Sequence, residues 1–182
     1  MKRNICLIAL SALLVAGCAT TPHMGYVSKS PAQSLKNISI QVMKFTDQRE
    51  ESQKGKLGGR YNQYGMKAGD VLEPQDLFED IETGFKTELE KAGYTVTANS
   101  QDLVLKGEVI AVSCDQTNGA QNGTVRFRLI LTDKGKEVLN SIYTGESKIP
   151  FTFDVTCSDA FNDAIRKSIA SFVKDLDNYV AS

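Results

Sequence analysis

The run TVRFRLILTDKGKEVLNSIYTGESKI, residues 124–149, constrains the fold more than any other stretch. Val125, Phe127, Leu129 and Leu131 alternate with Arg126 and Arg128, a period of two that puts apolar side chains on one face of a strand and wetted ones on the other. Asp133, Lys134 and Gly135 supply a tight turn, and a second strand returns from it. A long hairpin with one apolar face must bury that face against another layer. The preceding DLVLKGEVIAVSC, residues 102–114, repeats the device, with Leu103, Leu105 and Val109 sharing a face. Shorter strands are predicted in NISIQVMKF, residues 37–45, through Ile38, Ile40 and Val42, and in YTVTA, residues 94–98.

Two helices supply the covering layer. In PQDLFEDIETGFKTELEKAGY, residues 74–94, Leu77, Phe78, Ile81, Phe85 and Leu89 recur at helical spacing. Pro74 suits a first turn, Asp76, Glu79 and Asp80 favour the positive end of the dipole, and Gly93 closes the helix. Gly84 costs about 1 kcal/mol relative to alanine inside a helix, so its presence marks a close approach of helix to sheet. A last helix is predicted from about Ser158 to Tyr179, striped by Phe161, Ala164, Ile165, Ile169, Phe172, Val173 and Leu176, with Thr156 and Asp159 as a capping box. The expected class is α+β: two layers, a mostly antiparallel sheet with both helices packed on one face.

The amino terminus carries a different signal. Lys2 and Arg3 precede an apolar run from Ile5 to Val15, and LLVAGCATT then places Cys18 behind the small residues Ala16 and Gly17. The run is about half the 20 residues that a membrane-spanning helix needs. Residues 1–17 therefore read as a lipoprotein signal peptide, cleaved before Cys18, whose thiol takes diacylglycerol while the new amino terminus is acylated. Two or three acyl chains, at about 0.8 kcal/mol per buried CH₂, give a lasting anchor. Ala19 rather than aspartate follows the lipidated cysteine, which points to the inner leaflet of an outer membrane, facing the periplasm.

Removing Lys2 and Arg3 from the 21 basic residues leaves 19 against 22 acidic ones. That balance does not favour nucleic acid, whose binding rests on clustered Lys and Arg. Residues 18–36 hold two prolines and no apolar period, as in a flexible lipidated tether, leaving 37–182 as a single domain. The only histidine, His23, falls in that tether, where it has neither a fixed partner nor a dry pocket. Residues 46–73 show no sustained period but gather five glycines with Arg49, Arg60, Tyr61 and Tyr64. A loop this long implies function or a hidden strand pair around KLGGRYNQYGMKAGDVL. GKLGGR lacks the spacing of a phosphate-binding loop. Arginine and tyrosine are the types enriched at interface hot spots, so these four residues are the candidate interaction surface. Right-handed crossovers make the first strand parallel to the one after the first helix, which would put this segment at the opposite end of the sheet from Cys114 and Cys157.

With Cys6 in the signal and Cys18 lipidated, Cys114 and Cys157 remain, and an exported even pair invites a disulfide. The strands ending at Cys114 and near Pro150 are two apart and point the same way, so both cysteines fall at one end of the sheet. The alternatives are free thiols or a metal site using Cys114, Asp115, Cys157 and Asp159.

The lipobox, FTDQRE, GGRYNQYG, KAGYTV, DLVLKGEV and the late helix after CSD together resemble the YajG-like bacterial lipoproteins over most of the mature chain. That resemblance implies location and fold more than activity. No catalytic constellation is assembled by the sequence, and no cofactor or metal is expected. The reading is a non-enzymatic, membrane-anchored envelope lipoprotein that contacts an unidentified envelope protein through residues 46–73 and the wetted sheet face. The alternative is an auxiliary carrier for lipid or a small molecule, which requires an apolar cavity of about 300 Å³ or more.

Overall fold

The alternation of residues 103–150 is realised as three adjacent long strands. In chain order the elements are β1 (Ser39–Val42), β2 (Thr46–Asp47), β3 (Lys56–Tyr61), β4 (Lys67–Leu72), α1 (Leu77–Lys91), β5 (Thr95–Val96), β6 (Leu103–Thr117), β7 (Ala120–Asp133), β8 (Lys136–Pro150) and α2 (Cys157–Val180), with one 3₁₀ turn over Glu51–Gln53. The computed structural model describes residues 19–22, 24–99, 103–117, 119–150 and 156–182. The signal at 1–17, the lipidation site Cys18 and His23 lie outside the described residues.

β6 is the spine of the sheet. One edge pairs antiparallel with β7 along its whole length, and β7 pairs antiparallel with β8 through the turn at Lys134 and Gly135, both at positive φ. The other edge of β6 is shared by three short strands, all parallel to it: β1 opposite Leu103 to Leu105, β2 opposite Glu108 and Val109, and β3 opposite Gln116. β5 lies parallel outside β1, and β4 antiparallel outside β3. The sheet is therefore mostly antiparallel, as expected, through its long β6–β7–β8 and β3–β4 ladders, but mixed rather than purely so, because the short pairings on the other edge of β6 are parallel. Hairpin turns force antiparallel neighbours only where strands are consecutive in the sheet. Here β5 and β6, consecutive in sequence, flank β1 on opposite sides.

Both helices cover one face. Phe45, Phe85 and Phe127 meet between α1 and the sheet, with ring centroids 4.8 to 6.0 Å apart. α2 lies directly on β7 and β8, since a Cβ at Gly145 would stand 1.8 Å from the Ala164 carbonyl oxygen and one at Gly123 2.4 Å from that of Ala160. Gly84 marks a different contact from the one expected, because its Cβ would meet the Tyr26 ring and Ile165 of α2 rather than the sheet. The capping box forms, with the Thr156 N–H donating to the Asp159 carboxylate at 2.8 Å. No helix among the described residues is long and apolar enough to cross a membrane.

Candidate functional site

The segment without a period, residues 46–73, folds as the hidden strand pair. Its register slips between Lys56 and Gly58 and again between Arg60 and Tyr61, and these bulges are what erase the alternation in sequence. The four candidate surface residues separate. Arg49 is 4% exposed and is not part of any surface, which corrects that expectation. Its guanidinium bonds Asp47 through Nε and Nη2 at 2.8 Å and Glu73 through Nη1 and Nη2 at 2.9 Å, over the Phe78 ring. The guanidinium holds the Asp47 carboxyl below the usual carboxylate range. Arg49 thus ties the loop after β2 to the end of β4.

Arg60 and Tyr61 are half-buried in β3, and the Tyr61 ring lies over the Gly59 position. Tyr64 stands at the hairpin tip, 77% exposed. The hairpin is seated on β6 by the Gly59 N–H, which donates to Asp115 at 2.8 Å, and by Gly58, whose missing Cβ leaves room for the Cys114 carbonyl. The segment therefore lies at the same end of the sheet as the cysteines, opposite to expectation. The short β1 reaches only the start of β6, so the chain has room to run on in the same direction and pair again as β2 and β3. Within the hairpin, Lys56 of β3 at 2.8 Å and Lys67 of β4 at 2.5 Å pair with Asp70, and their hydrogen bonds hold its carboxyl at about 2.

Cys114 and Cys157 form a disulfide, Cα atoms 5.9 Å apart, joining the far end of β6 to the first residue of α2. Each sulfur is bonded to the other, so neither the free-thiol nor the metal alternative describes these residues.

Residues 19–36 do not stand free as a tether would; from Met24 onward they run as a strap against both helices. Met24 is fully buried, and its carbonyl accepts from Ser158 Oγ of α2 at 3.1 Å. The Tyr26 hydroxyl donates to Glu88 of α1 at 2.8 Å, with Ser30 on the same carboxylate. The Gln33 N–H donates to the Lys91 carbonyl at 2.7 Å and the Lys36 N–H to that of Gly93 at 2.8 Å. Composition hid this, because most of the strap's bonds are made by backbone groups and hydroxyls. Between strap and helices lies a groove of about 500 Å³ whose lining includes Glu88, Lys91, Lys174 and Asp177 beside Ile169 and Val173. That lining is charged and open, unlike the apolar cavity a lipid carrier requires.

No family model matches the chain. No curated protein matches it. Among solved structures it is similar to the hypothetical protein CT253 of Chlamydia trachomatis, with 8% identity over 79% of this chain and 97% of that one and a TM-score of 0.52. Others are protein XCC0632 of Xanthomonas campestris, with 12% identity over 90% and 94% of the two chains and a TM-score of 0.48, and lipoprotein GNA1162 of Neisseria meningitidis, with 13% identity over 79% and 98% and a TM-score of 0.39. At 8% identity, the likeness to CT253 shows a common fold.

Proposed function

We propose that this chain is a non-enzymatic lipoprotein of the bacterial envelope, YajG-like in kind, anchored through acylated Cys18 in the inner leaflet of the outer membrane and facing the periplasm. It works by contact with an envelope protein. The observation that carries the reading is the disulfide between Cys114 and Cys157, which belongs to an oxidising compartment and agrees with an exported chain. LLVAGCATT supplies the anchor.

The partner surface is the sheet face that the helices leave open. Arg128 pairs with Glu108 at 3.1 Å there, and Arg126 and the 47%-exposed Ile142 lie among other charged residues. Tyr61 continues that face across β3, bordering Ala111, Ser113 and Asp115 of β6, whereas Arg60 registers against Gln116 on the opposite side of the sheet.

The test is photo-crosslinking in intact cells from residue analogues placed at positions 61, 126 and 142. Capture of one defined protein from all three positions is expected, and it is lost when Cys18→Ala leaves the chain unlabelled by palmitate. Palmitate labelling that persists in Cys18→Ala overturns the anchor. The absence of any protein adduct from the labelled wild-type background overturns the partner.

A further inference from the structure

The amino-terminal chain runs along the outer edge of β4 toward the tip of the β3–β4 hairpin. Thr20 lies on the outer edge of β4 in parallel register with Val71, donating to the Asp70 carbonyl at 3.1 Å and accepting from the Leu72 N–H at 2.9 Å. In parallel register, the chain traced backward from Thr20 starts in the direction that β4 takes backward from Val71, toward Lys67 and the tip. Two residues reach at most about 7 Å, so the Cα of Cys18 stays within that distance of Thr20 whatever path the chain takes. From Val71 back to Lys67 is about 13 Å of strand, and the tip lies further still. The hairpin thus projects past the reach of the anchor. Met24, four residues after Thr20, is buried in the core.

The tip itself is ordered for presentation. Asn62 Oδ1 accepts from the N–H groups of Tyr64 and Met66, both at 3.0 Å, and the Asn62 N–H donates to the Met66 carbonyl at 3.0 Å. Gly65 closes the turn at φ 76°, a left-handed conformation that glycine adopts without cost. The turn holds out Tyr64, 77% exposed, and Met66, 60% exposed. Lys67, paired with Asp70, opens β4 just behind them with its side chain more than half exposed.

We infer that this tip is a second membrane contact, with Tyr64 and Met66 reaching past acylated Cys18 into the boundary between headgroups and acyl chains and fixing how the domain stands on the bilayer. The inference rests on the lipid-anchor reading above. A tyrosine suits that depth, with its ring among chains and its hydroxyl among headgroups, and Lys67 beside it suits a phosphate. It also reassigns Tyr64 from the protein-contact surface to the lipid, leaving the open sheet face directed sideways for a partner.

The chain contains no tryptophan, so Tyr64→Trp introduces a single reporter. The acylated full chain carrying it is reconstituted in vesicles of phosphatidylethanolamine and phosphatidylglycerol, with and without brominated acyl chains. The expected result is an indole emission that shifts to the blue on incorporation and is quenched by the brominated chains, while Ile142→Trp on the open sheet face shows neither change. An unshifted and unquenched indole at position 64, in protein that floats with the vesicles, overturns the tip contact and leaves the anchor standing. A blue shift without quenching assigns the tip to a protein surface and overturns the proposal equally. Protein that carries no acyl chain and does not float overturns the anchor, and the tip contact falls with it.

Discussion

With 1% of its side chain exposed, Arg49 serves as a fork between the carboxylates of Asp47 and Glu73. Removing the guanidinium leaves two mostly buried carboxylates facing each other, and breaking a buried pair this way costs about 3 kcal/mol or more. Arg49→Met is expected to lower the unfolding free energy in urea by about that amount, and Arg49→Lys to recover only part, because an ammonium cannot give both carboxylates paired bonds. An unchanged urea midpoint for Arg49→Met would show that the fork adds no net stability. This role was half legible: FTDQRE sets Asp47 two positions before Arg49, but Glu73 is 24 positions away and arrives only through the hairpin. Asp163 carries a pH-dependent share of stability. Burial pushes its carboxyl up, but Lys167 at 2.9 Å, Arg166 and the Ser147 hydroxyl at 2.8 Å outweigh that and hold it at about 2. A folded value below the unfolded value of about 3.9 means stability that is present above pH 4 and lost as pH falls through 2. Asp163→Asn should therefore be less stable than wild type at neutral pH, by at most about 2 kcal/mol, and the gap should close near pH 2. A gap that stays constant with pH would refute the linkage.

At the scale of elements, both helices were legible nearly to the residue, because a 3.6-residue stripe bounded by Pro74 and Gly93, or by Thr156 and Asp159, has few alternative readings. The β3–β4 pair was not, because two bulges and five glycines break its alternation. The pairing of cysteines was legible because it needed only the direction of β6 and β8, which the hairpins fix. The place of the hairpin was not, because it needed strand order, and nothing in a strand's own residues says which edge of β6 it will take. The disulfide ties α2 to the sheet at the helix's first residue and closes a loop of 43 residues. On the chain-entropy model that closure stabilises by about 4 kcal/mol. Replacing both cysteines with serine should lower unfolding free energy by about 3 to 4 kcal/mol and raise amide exchange first in the opening turns of α2. The native protein should show no thiol reactive with an alkylating agent until it is reduced. Ready alkylation of Cys114 and Cys157 in unreduced native protein would mean the pair is open in solution.

For the whole molecule, the question is where the folded unit begins. Composition places the boundary at Asn37, since residues 19–36 are polar, proline-bearing and without a period. The packing places it earlier. Met24 fills a core position, Tyr26 and Ser30 are the hydroxyl donors to Glu88, itself 7% exposed, and strap carbonyls accept from Ser158, Asn162 and Lys91 while the Gln33 and Lys36 N–H groups donate to the end of α1 and Gly93. Burying a methionine side chain stabilises by about 2 kcal/mol, and a buried carboxylate stripped of its donors costs about 1 to 3 kcal/mol more. A chain beginning at Asn37 should therefore unfold at a clearly lower urea concentration than one beginning at Ala19, with a loss of about 3 kcal/mol or more, before the entropy of ordering the strap is set against it. Met24→Ala in the longer chain should reproduce about 2 kcal/mol of that loss by itself. The two measurements together separate a strap from a tether: a tether predicts identical midpoints for both chain lengths and no effect of Met24→Ala. A strap has a further consequence for a lipid-anchored protein. With the chain fastened from Thr20 onward, the domain cannot range over the membrane at the end of a flexible leash, and its partner must come to the surface on which it is held.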